Sequence, residues 1–290
     1  MPVDQRRING PEVSIPYQIY IDSAHKSTEN SENYLEKRKD GRAAGDVRKL
    51  YMKTGIISQA KGSAYIEIGK TKVICAVYDP REIPNKVGYS LQGSLYCEFK
   101  YASFSCEKRK IHQQNAEEKD YSMIMQRSLE PAVCRHEFPN FQVDIYALVL
   151  DNDGSCLGAA ITAASLALAN ASIPMFGLVT AVTAGVYSDT ILLDPTNEEE
   201  ALCNCVPSNS KECKNHGIIM QASLTQHNQI SEFYFVGNMD YQSITTAVEL
   251  LSTVSNEICL VAQQCLVRSV TKILKMKKEQ NDEDEEIKNN

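Results

Sequence analysis

The sequence predicts an α+β fold with mixed sheets and a long C-terminal helix. Strand-like runs come in blocks rather than alternating with helices, which favours layered α+β packing over a doubly wound parallel sheet. A helical period holds over 240–276, through Ile244, Val248, Leu251, Ile258, Val261, Cys265 and Leu266. No GxGxxG follows the first strand and no GxxxxGK[ST] occurs anywhere, so Rossmann and P-loop nucleotide binding are excluded and no cofactor is expected.

Residues 1–50 are polar, interrupted by Pro11, Pro16, Gly41 and Gly45, and predict an extended arm. SAYIEI (63–68) and TKVICAVY (71–78) are β-rich and flank Gly69-Lys70, a hairpin. Residues 93–99 predict a third strand. The Gln/Asn-rich stretch 105–118 predicts a loop. Residues 119–135 have helical spacing in Ile124, Leu129 and Val133, with Pro131 at a kink or in the last turn. FQVDIYALVL (141–150) predicts a buried strand. Asp151-Asn152-Asp153-Gly154 is a turn, and it opens an Ala/Gly-rich helix over 155–170 that is apolar on most sides and so buried. A second hairpin is predicted from 178–187 and 190–193 around Ser188-Asp189, then an irregular stretch over 194–216. Strands at 217–225 and 230–236 flank a His227-Asn228-Gln229 turn. The domain limits expected are an arm over 1–50, one folded domain over 51–276, and a disordered acidic tail over 277–290.

The chain has 290 residues, 43% hydrophobic and 23% charged, an ordinary globular balance that excludes disorder throughout. Its net charge of −7 argues against coating nucleic acid by bulk charge. Residues 279–290 hold six acidic side chains against Lys288, a net of −5, so the remainder carries only −2 and has room for basic patches. MPVDQRRING has no apolar h-region, so export is not expected and the ten cysteines are expected as thiols. No uninterrupted apolar stretch reaches membrane-spanning length, and no membrane partner is expected.

Five segments, in order, resemble the RNase PH family: KRKDGRAAGDVR, KGSAYIEIGKTKVICAVYDPRE, MQRSLEPAV, DIYALVLDNDGSCLGAAITAASLALANASIP and TILLDPTNEEEA. The resemblance runs from about residue 38 into the C-terminal helix. Within the family, ISQAKGSAYIE, LEPAV, ILLDPTNEEE and VAQQCLVRS look most like a core-ring subunit of the eukaryotic RNA exosome. The resemblance implies a fold of the ribosomal-protein-S5-domain-2 type. It also implies a ring of related chains built from heterodimers, a cap RNA-binding subunit, single-stranded RNA in the channel, and residence in nucleus, nucleolus and cytoplasm.

Active members of the family attack the last phosphodiester of RNA with inorganic phosphate. That chemistry needs a cationic cradle for phosphate, carboxylates for a metal or a proton, and basic side chains along the RNA. Active relatives resemble Gly-Ser/Thr-Arg where this chain has Gly154-Ser155-Cys156, so Cys156 supplies no guanidinium beside Ser155. One lost charge-assisted contact weakens phosphate binding by about 1.5–3 kcal/mol. Counting from Asp194, the family's two acidic positions fall on Glu200 and Val206, and valine cannot serve. The arginines before the RNA loop fall on Tyr96 and Glu98, leaving Lys100, Lys108, Arg109 and Lys110 as candidate RNA contacts. The resemblance therefore implies a kept fold without catalysis: a structural exosome subunit. The alternative is a divergent phosphate-dependent 3′-exoribonuclease.

Cys203, Cys205, Cys213 and His216 have donors for a tetrahedral zinc, but match no paired CxxC spacing, and accidental clustering is the stronger expectation. Lys37, Arg38, Lys39, Arg42, Arg48 and Lys49 form a basic stretch suited to RNA or to an acidic protein neighbour. The five histidines lie in polar segments and suggest no hydrolase triad.

Overall fold

The computed structural model describes residues 38–83, 88–106, 109–188, 190–204 and 215–289; for Ile273 and residues 276–289 it describes the backbone alone. The chain divides between Ala43 and Ala44 into a short N-terminal unit and the folded remainder. In the latter the elements run β1 (Leu50–Thr54), β2 (Gly62–Ile68), β3 (Thr71–Val77), β4 (Arg81–Glu82), β5 (Ser94–Tyr101), α1 (Ala116–Leu129), β6 (Phe141–Asp151), α2 (Cys156–Asn170), β7 (Val179–Tyr187), β8 (Thr190–Leu193), α3 (Asn197–Asn204), β9 (His216–Leu224), β10 (Gln229–Asn238) and α4 (Tyr241–Asn289).

The first sheet is antiparallel from β1 through β2 and β3 to β6, with β4 also antiparallel to β6. The hairpin turns at Gly69, whose φ of +58° suits glycine. β5 pairs with β6 in parallel, from Ser94↔Gln142 to Tyr101↔Val149. A parallel pair needs a crossover, and α1 supplies it. This helix starts at Ala116, earlier than the apolar spacing predicts, because Asn115 N–H donates to Glu118 Oε2 at 2.7 Å. The other oxygen of Glu118 accepts Tyr101 N–H at 3.0 Å, tying the helix start to the end of β5. The helix stops at Leu129, before Pro131 rather than through it.

α2 lies between the two sheets, packing on β2, β3 and β6 and on β7. Its small side chains permit this, and Ile161, Leu166 and Leu168 are almost wholly buried. Each such burial is worth about 1.5–3 kcal/mol relative to exposure. A side chain at Gly62 would collide with the Ala167 carbonyl, so β2 also contributes a small residue to the contact.

The second sheet has the order β10–β9–β7–β8. Because β8 is short, residues 179–183 of β7 have no strand beside them on that edge. Hydroxyls of α2 take their place: Ser165 Oγ accepts Val179 N–H at 2.9 Å and Thr162 Oγ1 accepts Ala181 N–H at 3.0 Å. The opposite face of the sheet is covered by α4, through Ala247, Leu251 and Val254. Thr180 and Ser223 bond Ser255 across this interface, each at 2.6 Å between hydroxyls.

Two expectations need correction. Within 194–216, read as irregular, residues Asn197–Asn204 form α3. Thr196 N–H donates to Glu199 Oε2 at 2.9 Å, and Glu199 N–H reaches Thr196 Oγ1 at 3.5 Å, a capping box that opens the helix. The C-terminal helix also continues to Asn289, through the segment whose charge predicts a disordered tail. No glycine or proline follows Gly237, and the Lys, Glu and Gln residues are good helix formers. The segment Tyr241–Lys272 is long and apolar enough by length and composition to cross a membrane, although no uninterrupted apolar run announces it. Its Leu251, Cys259 and Ala262 are seated in the protein interior.

Candidate functional site

The turn from β6 into α2 is the centre of the site. Asn152 Oδ1 accepts Gly154 N–H at 3.2 Å, which closes the turn. Gly154 has φ +83°, and a side chain there would meet the Pro195 carbonyl. Ser155 is left-handed at φ 55°, and so is Asp194 at φ 49°. Such a conformation costs a non-glycine residue about 1–2 kcal/mol, so surrounding bonds must hold both in place.

Arg48 supplies those bonds. Its Nη2 lies 2.7 Å from Asp194 Oδ1 and its Nε 2.7 Å from Asp194 Oδ2, a bidentate pair, while the Arg48 N–H reaches Oδ2 at 3.1 Å. Nη1 donates to the Asp153 carbonyl at 2.7 Å and Nη2 to the Gly154 carbonyl at 3.2 Å. Burial alone would raise the Asp194 carboxyl, but the hydrogen bonds and charge of Arg48 outweigh it and hold it below the ordinary value. Arg48 is thus a buried clamp on the turn, not part of an exposed basic stretch. Lys49 remains exposed, Arg42 pairs with Asp40 at 3.3 Å within the N-terminal unit, and Lys37 lies outside the described residues.

Glu200 decides what the helix N-terminus does. Ser155 N–H donates to Glu200 Oε1 at 2.6 Å, so a carboxylate of this chain occupies the first free N–H of α2. Ser155 Oγ donates to the Pro195 carbonyl at 3.2 Å. Burial pushes the Glu200 carboxyl up to about 7; the Ser155 N–H and Arg48 oppose this, and Asp194 and Asp153 add to it. Cys156, the first residue of α2, is buried and paired with the Tyr101 hydroxyl at 2.9 Å. Burial and then Glu200 raise its thiol to about 12, so it is a neutral thiol and not a nucleophile. Asp151 lies 3.8 Å from Lys72, and Asp153 3.6 Å from Arg48.

A cavity of about 320 Å³ opens in front of these groups, between Tyr101, Tyr121, Tyr234, Thr183, Met220 and Glu200. Glu117 lines it as well, held to Lys110 Nζ at 3.3 Å. That ammonium also sits 4.7 Å from the centre of the Tyr101 ring. Lys110, expected to meet RNA, is therefore engaged within the chain. Arg109 is exposed and Lys100 half-buried on the outer face of β5, in one row with Tyr96 and Glu98. There Tyr96 packs edge-on against Tyr146 at 6.3 Å, and Tyr146 against Tyr78 at 5.7 Å. Lys108 and Val206 lie outside the described residues.

The zinc candidates are not assembled by the described chain. Cys203 is buried with its thiol directed at Gly185 of β7, while His216 opens β9 opposite Tyr187 and Asn238. Cys205 and Cys213 lie outside the described residues, and among those described no three metal-binding side chains cluster.

Two profiles of one family match this sequence in register with the fold: 3′ exoribonuclease family domain 1 over residues 46–174, and domain 2 over 177–207. A human protein, exosome complex component MTR3, is 39% identical over 215 residues, covering 69% of this chain and 75% of that one. The chain belongs to the RNase PH family of 3′ exoribonucleases. An Arabidopsis thaliana RNase PH relative, exosome complex component RRP41-like, is 33% identical over 234 residues, or 81% of this chain and 86% of the relative. Among solved structures, the Archaeoglobus fulgidus exosome with RNA bound to the active site superposes with a TM-score of 0.69 at 18% identity, covering 83% of this chain and 98% of that one. The RNase PH fold is thus shared well beyond the range where sequence identity is informative.

Missed by sequence reasoning were the roles of Arg48, Glu200 and Tyr101. The capping-box pattern Thr196-x-x-Glu199 is the signal that would have placed Glu200 on a helix.

Proposed function

We propose that this chain is a non-catalytic structural subunit of an RNA exosome core ring, supporting 3′-to-5′ RNA processing and degradation by shaping the channel. The observation that carries the proposal is the Ser155 N–H bond to Glu200, with Cys156 beside it. A phosphorolytic site must gather an anion at that helix N-terminus. Here a carboxylate of the chain itself sits there, and a neutral, buried thiol stands in place of a guanidinium. The names of the human and Arabidopsis relatives support the assembly side of the reading. Its partners would be related RNase PH-like subunits in a heterodimer and around the ring, a cap RNA-binding subunit, and single-stranded RNA touched at Lys100 and Arg109. Its compartments would be nucleus, nucleolus and cytoplasm, which a fluorescent fusion would test.

The surface agrees with a subunit that is covered in use. Ile230, Phe233, Phe235 and Val236 of the edge strand β10 are exposed, as are Leu260, Val267 and Val270 of α4. An apolar edge strand and an apolar helix face are association surfaces. The test is an assay of phosphate-dependent release of nucleoside diphosphates from single-stranded RNA by the full-length chain. No release above a protein-free control is expected. Release that rises with phosphate would establish the alternative, a divergent phosphorolytic exoribonuclease.

A further inference from the structure

We infer that α4, from Leu260 to Lys275, is a docking surface for a protein partner that presents an apolar strip rimmed by carboxylates. The inference rests on the reading of this chain as an assembling subunit, and deepens it by giving one exposed surface a partner of stated charge.

The first part of α4 belongs to the fold. Ala247, Leu251 and Val254 cover the second sheet, and Cys259 and Ala262 are buried. Cys265 Sγ donates to the Met52 carbonyl of β1 at 3.4 Å. The outer side of the helix carries aliphatic side chains that the described residues do not cover. Leu260, Val267, Val270 and Leu274 are each more than half exposed. At about 100° per residue they fall within an arc of about 80°, so they form one row along the helix. Arg268, Lys272 and Lys275 are exposed too, and fall within about 60° on one flank of that row. None of these three cations forms an ion pair among the described residues. An aliphatic row with an unpaired basic flank is a surface that lacks its acidic complement.

The order of charge along α4 selects the partner. Residues 258–278 hold five basic side chains and no acidic one, whereas 279–286 hold six acidic ones and no basic one, on one continuous helix. A polyanion such as RNA or an anionic lipid surface offers a single sign, so the second stretch opposes what the first attracts. RNA phosphates would also leave the aliphatic row in water, and residues 258–278 contain no Trp, Tyr or Phe to anchor a helix at a lipid interface. A second copy of this chain fails on register. Pairing the two aliphatic rows in parallel sets basic flank on basic flank, and pairing them antiparallel sets it on residues 259–266, which carry no charge. A folded protein surface supplies both parts, an apolar strip for the row and carboxylates for the flank, as grooves do for amphipathic helices. Its carboxylates would fix the register and make the contact sensitive to salt.

The probe is a photo-crosslinking residue, benzoylphenylalanine, in place of Val270 in the tagged full-length chain, expressed in cells with its partners. After irradiation the attached molecule is purified and its modified segment mapped by mass spectrometry. Attachment to one partner protein, within an apolar segment flanked by Asp or Glu, is expected. The yield should fall severalfold when the ionic strength during irradiation is raised from about 0.05 to about 0.5 M. Arg268→Glu, Lys272→Glu and Lys275→Glu together should lower the yield at least about tenfold, and Lys in place of the mapped acids should restore it in that variant. Arg268→Lys, which keeps the charge, should leave the yield unchanged. Attachment to a second copy, to lipid or to RNA, attachment to a segment without excess acid, a yield insensitive to charge reversal, or no attachment overturns the inference. RNase PH-like chains recovered with the tagged protein are counted in the same preparation. Their recovery alongside a failed cross-link removes the inference and leaves the subunit reading standing, and their absence removes that reading whatever the cross-link shows.

Discussion

Replacing Glu200 by Gln should make the protein more stable at alkaline pH and leave it nearly unchanged at acid pH. The carboxyl is raised from an ordinary 4.5 to about 7, chiefly by burial. A raised acid stabilises the fold while it is protonated. Its contribution is complete below about pH 4.5 and is lost as the pH rises through about 7. The full difference corresponds to about 3 kcal/mol. Glu200 keeps some contact with solvent, so about 1–2 kcal/mol is the working expectation. Glutamine retains the carbonyl oxygen that accepts Ser155 N–H, and removes the charge. Urea unfolding of dilute full-length protein, near pH 5 and near pH 8, reads the effect. The variant's midpoint should rise by about 0.5–1 M near pH 8, given a slope of about 2 kcal/mol per molar, and coincide with the unsubstituted chain near pH 5. A variant less stable near pH 8, or a difference independent of pH, would refute the reasoning. The carboxylate would then be a net stabiliser of the helix N-terminus.

Arg48→Ala should lower stability by about 3–5 kcal/mol, because Asp194 is left buried without its partner, whereas Lys49→Ala should change the urea midpoint little. Cys156→Arg alone should not confer phosphate-dependent cleavage of RNA, since the Glu200 carboxyl still accepts the Ser155 N–H at the start of the helix; measurable nucleoside diphosphate release by this variant would refute that expectation. Phe235→Glu on the exposed edge strand should reduce recovery of partner chains severalfold while circular dichroism of the isolated chain stays unchanged; full recovery would place the interface elsewhere.

Local signals carried most of the fold. The β2–β3 hairpin was legible because a Gly-Lys turn separates two β-branched runs, and α2 because its small-residue pattern has no exposed face. What was obscured was capping chemistry within polar stretches. Asn115–Glu118 and Thr196–Glu199 both start helices, yet each lies in a run whose Gln, Asn or Glu content reads as loop. The pocket was half legible. Cys156 and Ser155 could be located by the turn before α2. The partner of that turn could not, because Arg48 and Asp194 are 146 residues apart and meet only through tertiary folding. A basic residue in a basic run looks like surface until an acid reaches it. In the same way, Lys110 belonged to an apparent surface patch, and its engagement by Glu117 and Tyr101 depends on how α1 follows β5.

The central claim is that this chain acts by assembly rather than by chemistry. The most direct measurement is a tagged pull-down of the full-length chain from cells, washed at high salt, with every co-purifying chain identified by mass spectrometry and quantified. Several distinct RNase PH-like chains in near-equal amounts with this one, together with a cap RNA-binding protein, are the predicted result. Recovery of this chain alone, or only with copies of itself, would contradict the account.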